Sequence, residues 1–233
     1  EAGENVLTDI SFKAKKGQTI AVIGSTGSGK STLINLIPRY YDVTKGSVKV
    51  DGVDVRDMTQ KELRDKLGYV PQKGVLFSGT IDSNIRYGKP EITDAQVKEA
   101  AEVAQATEFI DTKPEKYESP VSQGGTNVSG GQKQRLSIAR AIAKNPEIFI
   151  FDDSFSALDF KTDSQLRKAL KEYTKDATTV IVAQRISTIL GADQIIVLDD
   201  GHMAGIGTHK GLMANCEVYQ QIARSQLSEE ELA

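Results

Sequence analysis

The sequence predicts an α/β fold in which helices cover a parallel β-sheet, with a small antiparallel β subdomain and an inserted α-helical subdomain. Apolar runs at residues 19–23 (TIAVI), 148–151 (IFIF), 178–183 (TTVIVA) and 194–198 (QIIVL) are typical of strands buried on both faces. Helical patterns separate several of these runs, and such alternation indicates a parallel sheet. Residues 80–145 interrupt the alternation with a helix-rich stretch, which we interpret as an insertion.

The elements follow in chain order from their local patterns. The first strand ends at a glycine, the next residues 31–37 have helical spacing, and Pro38 ends that helix. Residues 47–50 and the alternation that continues to residue 55 predict short antiparallel strands, with a turn at Asp51-Gly52. Further helices are expected at residues 94–108, 131–144, 162–171 and 187–190.

Composition limits the classes of function. The chain has 233 residues, 39% of them hydrophobic and 26% charged, which is ordinary for a globular protein. A net charge of -3 gives no electrostatic reason to expect nucleic acid as a partner. The single cysteine, Cys216, excludes an internal disulfide, and we interpret it as an apolar filler. No apolar run approaches about 18 residues, so no membrane-spanning helix is expected, and the first residue, Glu1, suggests a fragment of a longer polypeptide.

Residues 24–31 (GSTGSGKS) fit the pattern G-x-x-x-x-G-K-[ST] between a predicted strand and a predicted helix. Glycines let the backbone curl so that its N–H groups point at phosphate oxygens, and the helix N-terminus adds positive potential. Lys30 can reach the β- and γ-phosphates, and the Ser31 hydroxyl can bind Mg²⁺. We therefore predict a P-loop NTPase (RecA-like) core that binds ATP and Mg²⁺. The residues assigned to the nucleotide are Gly24, Ser25, Thr26, Gly27, Ser28, Gly29, Lys30, Ser31 and Thr32.

Two acidic residues follow the apolar run at residues 148–151. A buried strand that delivers a carboxylate to its C-terminal end suits a Mg²⁺-nucleotide site. Asp152 is expected to hold Mg²⁺ through water. Asp153 stands where a general base or a water-positioning carboxylate would stand.

A second anion site is predicted at the start of the helix that VSGGQKQR opens. Ser129 can cap this helix, and Gly130 and Gly131 expose backbone N–H groups at its positive end. Because residues 24–31 already bind the phosphates of one ATP, a second phosphate site suggests a shared nucleotide.

The phosphate loop, VSGGQ and FDDSFSALD occur in an order and at separations that resemble the nucleotide-binding domain of ABC transporters. The resemblance covers essentially the whole chain. It implies a head-to-tail dimer with two sandwiched nucleotides, in which VSGGQ binds the γ-phosphate of the ATP held by the opposite protomer. The residues that would make this contact are Ser129, Gly130, Gly131 and Gln132.

The same resemblance assigns roles to three further segments. Gln72, in YVPQKGVLFSGTI, matches the glutamine loop and would sense Mg²⁺ and the attacking water. Residues 75–81 would face the transmembrane partner. Residues 156–159 (SALD) match the D-loop, and Asp159 would contact nucleotide.

Within the family, VLFSGTI and SIARAI look most like exporter domains. The resemblance therefore implies a motor domain at the cytoplasmic face of a membrane, with transmembrane domains and a second nucleotide-binding domain as partners and no nucleic acid. We expect residues 1–233 to form a single ABC ATP-binding domain. Residues 1–79 and 146–233 would form the nucleotide-binding core, and residues 80–145 the helical subdomain that carries VSGGQ.

The sequence departs from the family pattern at three places. Asp153 stands where active members usually have glutamate, and a shift of about an ångström in a catalytic group can cost on the order of 10²-fold in rate. Gln184 stands where the family usually has histidine, and it can donate to a γ-phosphate but cannot carry a positive charge. The aromatic residue that stacks on adenine usually lies several residues before Val6-Leu7, which places it before Glu1.

Both catalytic departures belong to the site of the chain's own phosphate loop, whereas VSGGQ is intact. This combination resembles the degenerate half of a heterodimeric exporter, which binds ATP, hydrolyses it slowly and completes the partner's active site. Four alternatives stay open: a homodimeric ATPase that tolerates Asp and Gln, an engineered double substitution, a dimerisation subunit with little hydrolysis, and a soluble ABC protein acting in translation or on DNA. The last class usually carries two cassettes or a long coiled-coil insertion, and none lies between Lys30 and Asp152.

Overall fold

The computed structural model describes residues 6–228, which form two compact units. The first unit contains residues 6–67 and 178–228, and the second contains residues 68–177. Among the described residues, no helix has both the length and the apolar character needed to cross a lipid bilayer.

Ten strands and ten α-helices are found within residues 6–228. Within residues 6–70 the elements are β1 (Thr19–Gly24), α1 (Lys30–Asn35), β2 (Lys49–Val50), β3 (Val53–Asp54), α2 (Gln60–Asp65) and β4 (Leu67–Val70). The second unit continues with β5 (Gly79–Thr80), α3 (Ile81–Ile85), α4 (Asp94–Val103), α5 (Thr107–Asp111), β6 (Pro120–Val121), α6 (Gly130–Ala143), β7 (Ile148–Asp152) and α7 (Phe160–Tyr173). The chain then adds β8 (Thr178–Val182), α8 (Ile186–Ile189), β9 (Gln194–Asp199), β10 (His202–Gly207), α9 (His209–Asn215) and α10 (Glu217–Gln226).

The first unit is organised around β1. Its strands lie in the order β10-β9-β1-β8, with β1 parallel to both β8 and β9. Ile20, Ala21 and Val22 of β1 are completely buried, as the continuous apolar run predicts. The expected parallel sheet is therefore confirmed for β1, β8 and β9. The short antiparallel pair β2 and β3 is also confirmed, with both Asp51 and Gly52 of its turn in the left-handed region.

Strand β10 is absent from the sequence-based prediction. It pairs antiparallel with β9 through a two-residue turn, in which Asp200 has φ 44° and Gly201 has φ 74°. These left-handed values suit a tight hairpin. The segment HMAGIG contains two glycines and no apolar run, so its strand character depends on pairing with β9.

In the second unit, β7 and β4 are neighbouring strands, and α3 and α4 pack against α6. The prediction of one helix over residues 94–108 is wrong, because α4 ends at Val103 and α5 begins at Thr107. Gln105 between them has a left-handed φ of 57°, and the Arg135 guanidinium donates to its carbonyl oxygen at 2.7 Å. The helical subdomain boundaries at residues 80 and 145 stay a prediction.

The C-terminal helices of the first unit are anchored by Tyr219. Its ring is completely buried, and its hydroxyl lies 2.8 Å from Nδ1 of His209 in a shared hydrogen bond. Burial raises the pKa of Tyr219 to about 12. Cys216 is buried in the same apolar cluster, which confirms its interpretation as a filler.

Tyr219→Phe should flatten the dependence of stability on pH between about 10 and about 12. An unfolded tyrosine ionises near pH 10, whereas folded Tyr219 keeps its proton until pH reaches about 12. The stability linked to the neutral hydroxyl is thus complete below pH 10 and is lost as pH rises through 12. At neutral pH the variant should lose about 1 kcal/mol with the hydrogen bond to His209. Urea unfolding at several pH values measures both effects, and parallel pH curves for the two proteins would contradict them.

Candidate functional site

The segment predicted to bind phosphates lies between β1, which ends at Gly24, and α1, which begins at Lys30. Gly24 has no space for a side chain, because a Cβ there would lie 2.2 Å from the Leu198 carbonyl oxygen and 2.6 Å from Ser28 Oγ. The loop therefore starts in direct contact with the backbone of β9. Glycine is required here for close approach.

The shape of this loop depends on two left-handed glycines, Gly27 with φ 82° and Gly29 with φ 98°. Ser28 between them is buried, whereas Ser25, Thr26 and Gly27 are exposed. A Cβ at Gly27 would meet no atom within 4 Å, so the exposed side of the loop is open. A left-handed turn of this kind can direct successive N–H groups at an anion.

The side chain of Lys30 folds back over the loop. Its ammonium group donates hydrogen bonds to the carbonyl oxygens of Gly24 at 2.8 Å and Ser25 at 2.6 Å. A longer contact of 3.5 Å joins it to Ser28 Oγ. These bonds hold a positive charge within the loop, and the contact of Lys30 with phosphates stays a prediction.

Gln184 leaves the sheet beside this loop. In the parallel register Val182 of β8 pairs with Val22 of β1, and the N–H of Ala183 donates to the Val22 carbonyl oxygen at 3.2 Å. The C-terminal ends of adjacent parallel strands share one edge of the sheet. The exposed Gln184 and the segment after Gly24 therefore emerge at the same edge.

In the second unit, three predicted site residues are brought together at the ends of β4 and β7. Asp152 and Asp153 are both more than nine-tenths buried. Gln72 Nε2 donates to Asp153 Oδ2 at 3.2 Å, and the Tyr69 hydroxyl lies 3.4 Å from Asp152 Oδ2. The structure thus provides two carboxylates and an amide in one partly enclosed cluster.

The backbone of Asp153 favours a short side chain. Its φ of 47° lies in the left-handed region, which aspartate adopts more readily than glutamate. Ser156 Oγ donates to the Asp153 carbonyl oxygen at 3.0 Å and stabilises this turn. The departure from the family's glutamate is therefore locally compatible with the turn that carries it.

Helix α6 supports the segment that carries Gln72. The buried Gln134 donates from Nε2 to the Pro71 carbonyl oxygen at 3.0 Å. A Cβ at Gly74 would lie 2.8 Å from the Lys133 carbonyl oxygen, so this glycine lets the segment approach the helix closely. The orientation of Gln72 therefore depends on packing against α6.

Tyr69, Gln134 and Ser154 also support this cluster and are not among the site residues predicted from the sequence. Ser154 is buried and donates from Oγ to the Val70 carbonyl oxygen at 2.8 Å. A signal for Gln134 exists in the sequence, because it shares one helical face with the buried Ile138 four residues later. A polar residue on an apolar face needs a buried partner.

The first turn of α6 is capped as predicted. Ser129 Oγ accepts a hydrogen bond from the Gln132 N–H at 3.2 Å, and Gln132 Oε1 accepts one from the Ser129 N–H at 3.1 Å. A Cβ at Gly130 would meet no atom within 4 Å, and one at Gly131 would lie 3.6 Å from the Ala157 carbonyl oxygen, an ordinary contact. The described chain therefore leaves space for side chains at both glycines.

Asp159 has a structural function in addition to its predicted nucleotide contact. Its Oδ1 accepts a hydrogen bond from the Thr162 N–H at 3.0 Å and caps α7. This bond to the Thr162 backbone lowers the pKa of the Asp159 carboxyl. The predicted contact with nucleotide stays a prediction.

The donor groups also suit Mg²⁺ that is bound together with a nucleotide. Within residues 6–228, no group of three or more His, Cys, Asp or Glu side chains is arranged to hold a metal. Mg²⁺ commonly uses one or two protein oxygens and takes its other ligands from phosphates and water. Asp152, Ser31 and Gln72 are the side chains assigned to it, and the buried Asp152 carboxylate fits that assignment.

Comparison with known proteins gives one consistent result. The sequence profile of the family described as ABC transporter matches residues 7–156. An uncharacterized ABC transporter ATP-binding protein of Mycobacterium tuberculosis strain H37Rv is 50% identical over 224 residues, which cover 95% of this chain and 38% of that protein. A Staphylococcus aureus protein, named as a multidrug export ATP-binding/permease protein, is 47% identical over 217 residues, which cover 93% of this chain and 38% of that protein.

A solved structure, described as a bacterial Atm1-family ABC exporter with ATP bound, superposes with a TM-score of 0.92. It is 39% identical in sequence, and the match covers 96% of this chain and 40% of that chain. This likeness confirms the predicted α/β fold with a P-loop NTPase core. The chain spans about two fifths of the length of the relatives it matches.

Gly27→Ala and Gly46→Ala form a matched pair that separates backbone strain from a binding defect. Their φ values are 82° and 79°, and a Cβ would meet no atom within 4 Å at either position. Both variants should lose about 1 kcal/mol of stability, because alanine is strained in the left-handed region. Only Gly27→Ala should weaken binding of a fluorescent ATP analogue, since its Cβ would project beside the phosphate loop. Thermal melts and titrations measure the two effects, and equal affinities would contradict the assignment of the loop.

Proposed function

The chain belongs to the ABC transporter family, and from this we propose that it is the ATP-binding motor domain of an exporter at the cytoplasmic face of a membrane. Its ligands would be ATP and Mg²⁺. Its partners would be the transmembrane domains of the exporter and a second nucleotide-binding domain. Two of the relatives are named for export, and this supports the exporter assignment.

The observation that carries the proposal is the open first turn of α6. Glycine inside a helix costs about 0.5–1 kcal/mol relative to alanine, so a glycine needs a compensating reason. At Gly130 and Gly131 the described chain supplies no steric reason. The γ-phosphate of a nucleotide held by a second domain would supply one, because it must approach the backbone N–H groups closely. Ser129 and Gln132, which form the cap, would border that phosphate.

Phosphate binding by this chain is assigned to Gly24 through Thr32. The left-handed loop would present backbone N–H groups to the phosphates, and Lys30 would place its ammonium against the β- and γ-phosphates. Bound Mg²⁺ would neutralise developing negative charge on the phosphates during transfer to water. Mg²⁺ would be held in place by the Ser31 hydroxyl, the Asp152 carboxylate and the Gln72 amide.

We further propose that hydrolysis of the ATP bound by this chain is slow. The Asp153 side chain is one methylene shorter than the usual glutamate, and its carboxylate accepts a hydrogen bond from Gln72 at 3.2 Å. Gln184 can donate to a γ-phosphate, but it carries no positive charge. The short carboxylate side chain and the uncharged amide would both weaken stabilisation of the transition state. The N-terminus of α6, which is capped and sterically open, would still bind the γ-phosphate of the partner's ATP.

The combined change Asp153→Glu and Gln184→His should raise ATP turnover at this site about tenfold or more in the assembled transporter. The longer glutamate would bring its carboxylate to the attacking water, and histidine can carry a positive charge beside the γ-phosphate. Single-turnover hydrolysis is the measurement, with Gln184→His alone as the comparison. Glutamate is also expected to strain the turn at residue 153, so thermal stability should fall slightly. An unchanged rate would favour an ordinary ATPase in which Asp and Gln suffice.

Ser129→Arg should abolish hydrolysis of the ATP held by the partner domain, because a large side chain would occupy the open end of α6. Thr93→Arg is the matched control, since Thr93 caps α4 with the same capping box in the same unit. Both variants should lose about 1 kcal/mol of helix stability. If the two variants hydrolyse ATP at the same rate in the assembled transporter, the shared-site function is wrong.

A further inference from the structure

The side chain of Gln226, the last residue of α10, bridges the backbone that follows β8. Its Nε2 donates to the Gln184 carbonyl oxygen at 2.8 Å. Its Oε1 accepts from the Ile186 N–H at 2.8 Å. The donor and the acceptor ends of one amide are therefore both used on a three-residue segment.

The bridge provides an acceptor for the Ile186 N–H, which lies at the start of α8 and receives no side-chain cap from that helix's own N-cap residue. Helix α8 has only four residues, and its N-cap residue, Arg185, makes no side-chain hydrogen bond to the first turn. The first N–H groups of a helix need acceptors from outside that helix. Gln226 supplies one of these acceptors from a helix 40 residues further along the chain.

Helix α10 is a firm support for this contact. Ala223 and Tyr219, about one and two turns before the end of α10, are completely buried. They pack in one apolar cluster with Ala183, which precedes the bridged segment, and with Ile186, which is its last residue. By contrast, the side chains of Gln184 and Arg185 are exposed. Packing therefore holds Ala183 and Ile186 in place, but it does not hold the two residues between them.

We propose that Gln226 is a positioning residue that fixes the backbone of Gln184 and thereby aims its side-chain amide at the γ-phosphate. This inference rests on the proposed function, which assigns Gln184 to that phosphate. Hydrogen bonds weaken steeply with poor alignment, and small displacements of a contacting group have large effects. Recognition of the γ-phosphate would thus depend on the C-terminal helix of the same unit.

The preference for a triphosphate over a diphosphate tests this inference without requiring turnover. Affinities for the non-hydrolysable analogue AMP-PNP and for ADP are measured in the assembled transporter for wild type, Gln226→Ala, Gln226→Glu and Gln184→Ala. Gln221→Ala is the matched control, since Gln221 is an exposed amide on the same helix. Because Gln226 is itself exposed, its removal should leave the fold intact.

We expect Gln226→Ala to lower AMP-PNP affinity about threefold to tenfold and to leave ADP affinity unchanged within about twofold. Gln221→Ala should change neither. In a Gln184→Ala background the Gln226→Ala change should have no further effect, because a residue that acts through another shows full coupling in a double-mutant cycle.

Gln226→Glu separates the two ends of the bridge. Its carboxylate can still accept from the Ile186 N–H but cannot donate to the Gln184 carbonyl oxygen. Amide hydrogen exchange at residue 186 should therefore stay slow in this variant and become faster in Gln226→Ala, while AMP-PNP affinity falls in both.

Three results would overturn the inference and leave the proposed function standing, provided that Gln184→Ala lowers AMP-PNP affinity. These are an unchanged AMP-PNP affinity in Gln226→Ala, an equal loss in Gln221→Ala, and an independent loss in the Gln184→Ala background. If Gln184→Ala itself leaves AMP-PNP affinity unchanged, the γ-phosphate function of Gln184 is wrong, and the inference fails with it.

Discussion

The parallel pairing of β1 with β8 and β9 is the constraint on which the first unit depends. Strand β1 is buried among its neighbours, and its last residue, Gly24, lies too close to the Leu198 carbonyl oxygen to carry a side chain. This close approach sets where the phosphate loop starts. The same register brings the residues after Val182 to that edge, so one set of backbone hydrogen bonds positions both the loop and Gln184. The pairing of the strands therefore determines which groups lie at this edge of the sheet.

Helix α6 has the equivalent function in the second unit. Its N-terminus is capped by Ser129 and left sterically open at Gly130, while its buried Gln134 supports the segment that carries Gln72. One rigid helix thus connects the region proposed to contact a partner's nucleotide with the cluster around Asp152 and Asp153. A displacement of α6 would also move Gln72, because the segment that carries Gln72 contacts the helix at Gly74 without free space between them.

Several polar side chains combine a structural and a proposed functional task. Asp159 caps α7 with the same carboxylate that the family pattern assigns to nucleotide. Asp153 occupies a left-handed turn that suits a short acidic residue, which explains how the turn accommodates the departure from glutamate. Gln226 completes the first turn of α8 while it holds the carbonyl group of Gln184. In each case the hydrogen bond that completes local structure also limits where the functional atoms can lie.

The sequence by itself determined the fold class, the buried strands, the phosphate loop and the cap at Ser129, because apolar runs, glycine positions and capping residues act over a few neighbouring residues. Only the tertiary structure decided the rest. Strand β10 forms because β9 offers it a partner. The helix expected over residues 94–108 is interrupted at Gln105, whose carbonyl group accepts a hydrogen bond from the distant Arg135. The contacts of Gln134 with Pro71 and of Gln226 with Gln184 join residues far apart in the chain. A local pattern carries no record of such pairings, since they exist only once the chain has closed the loops between them.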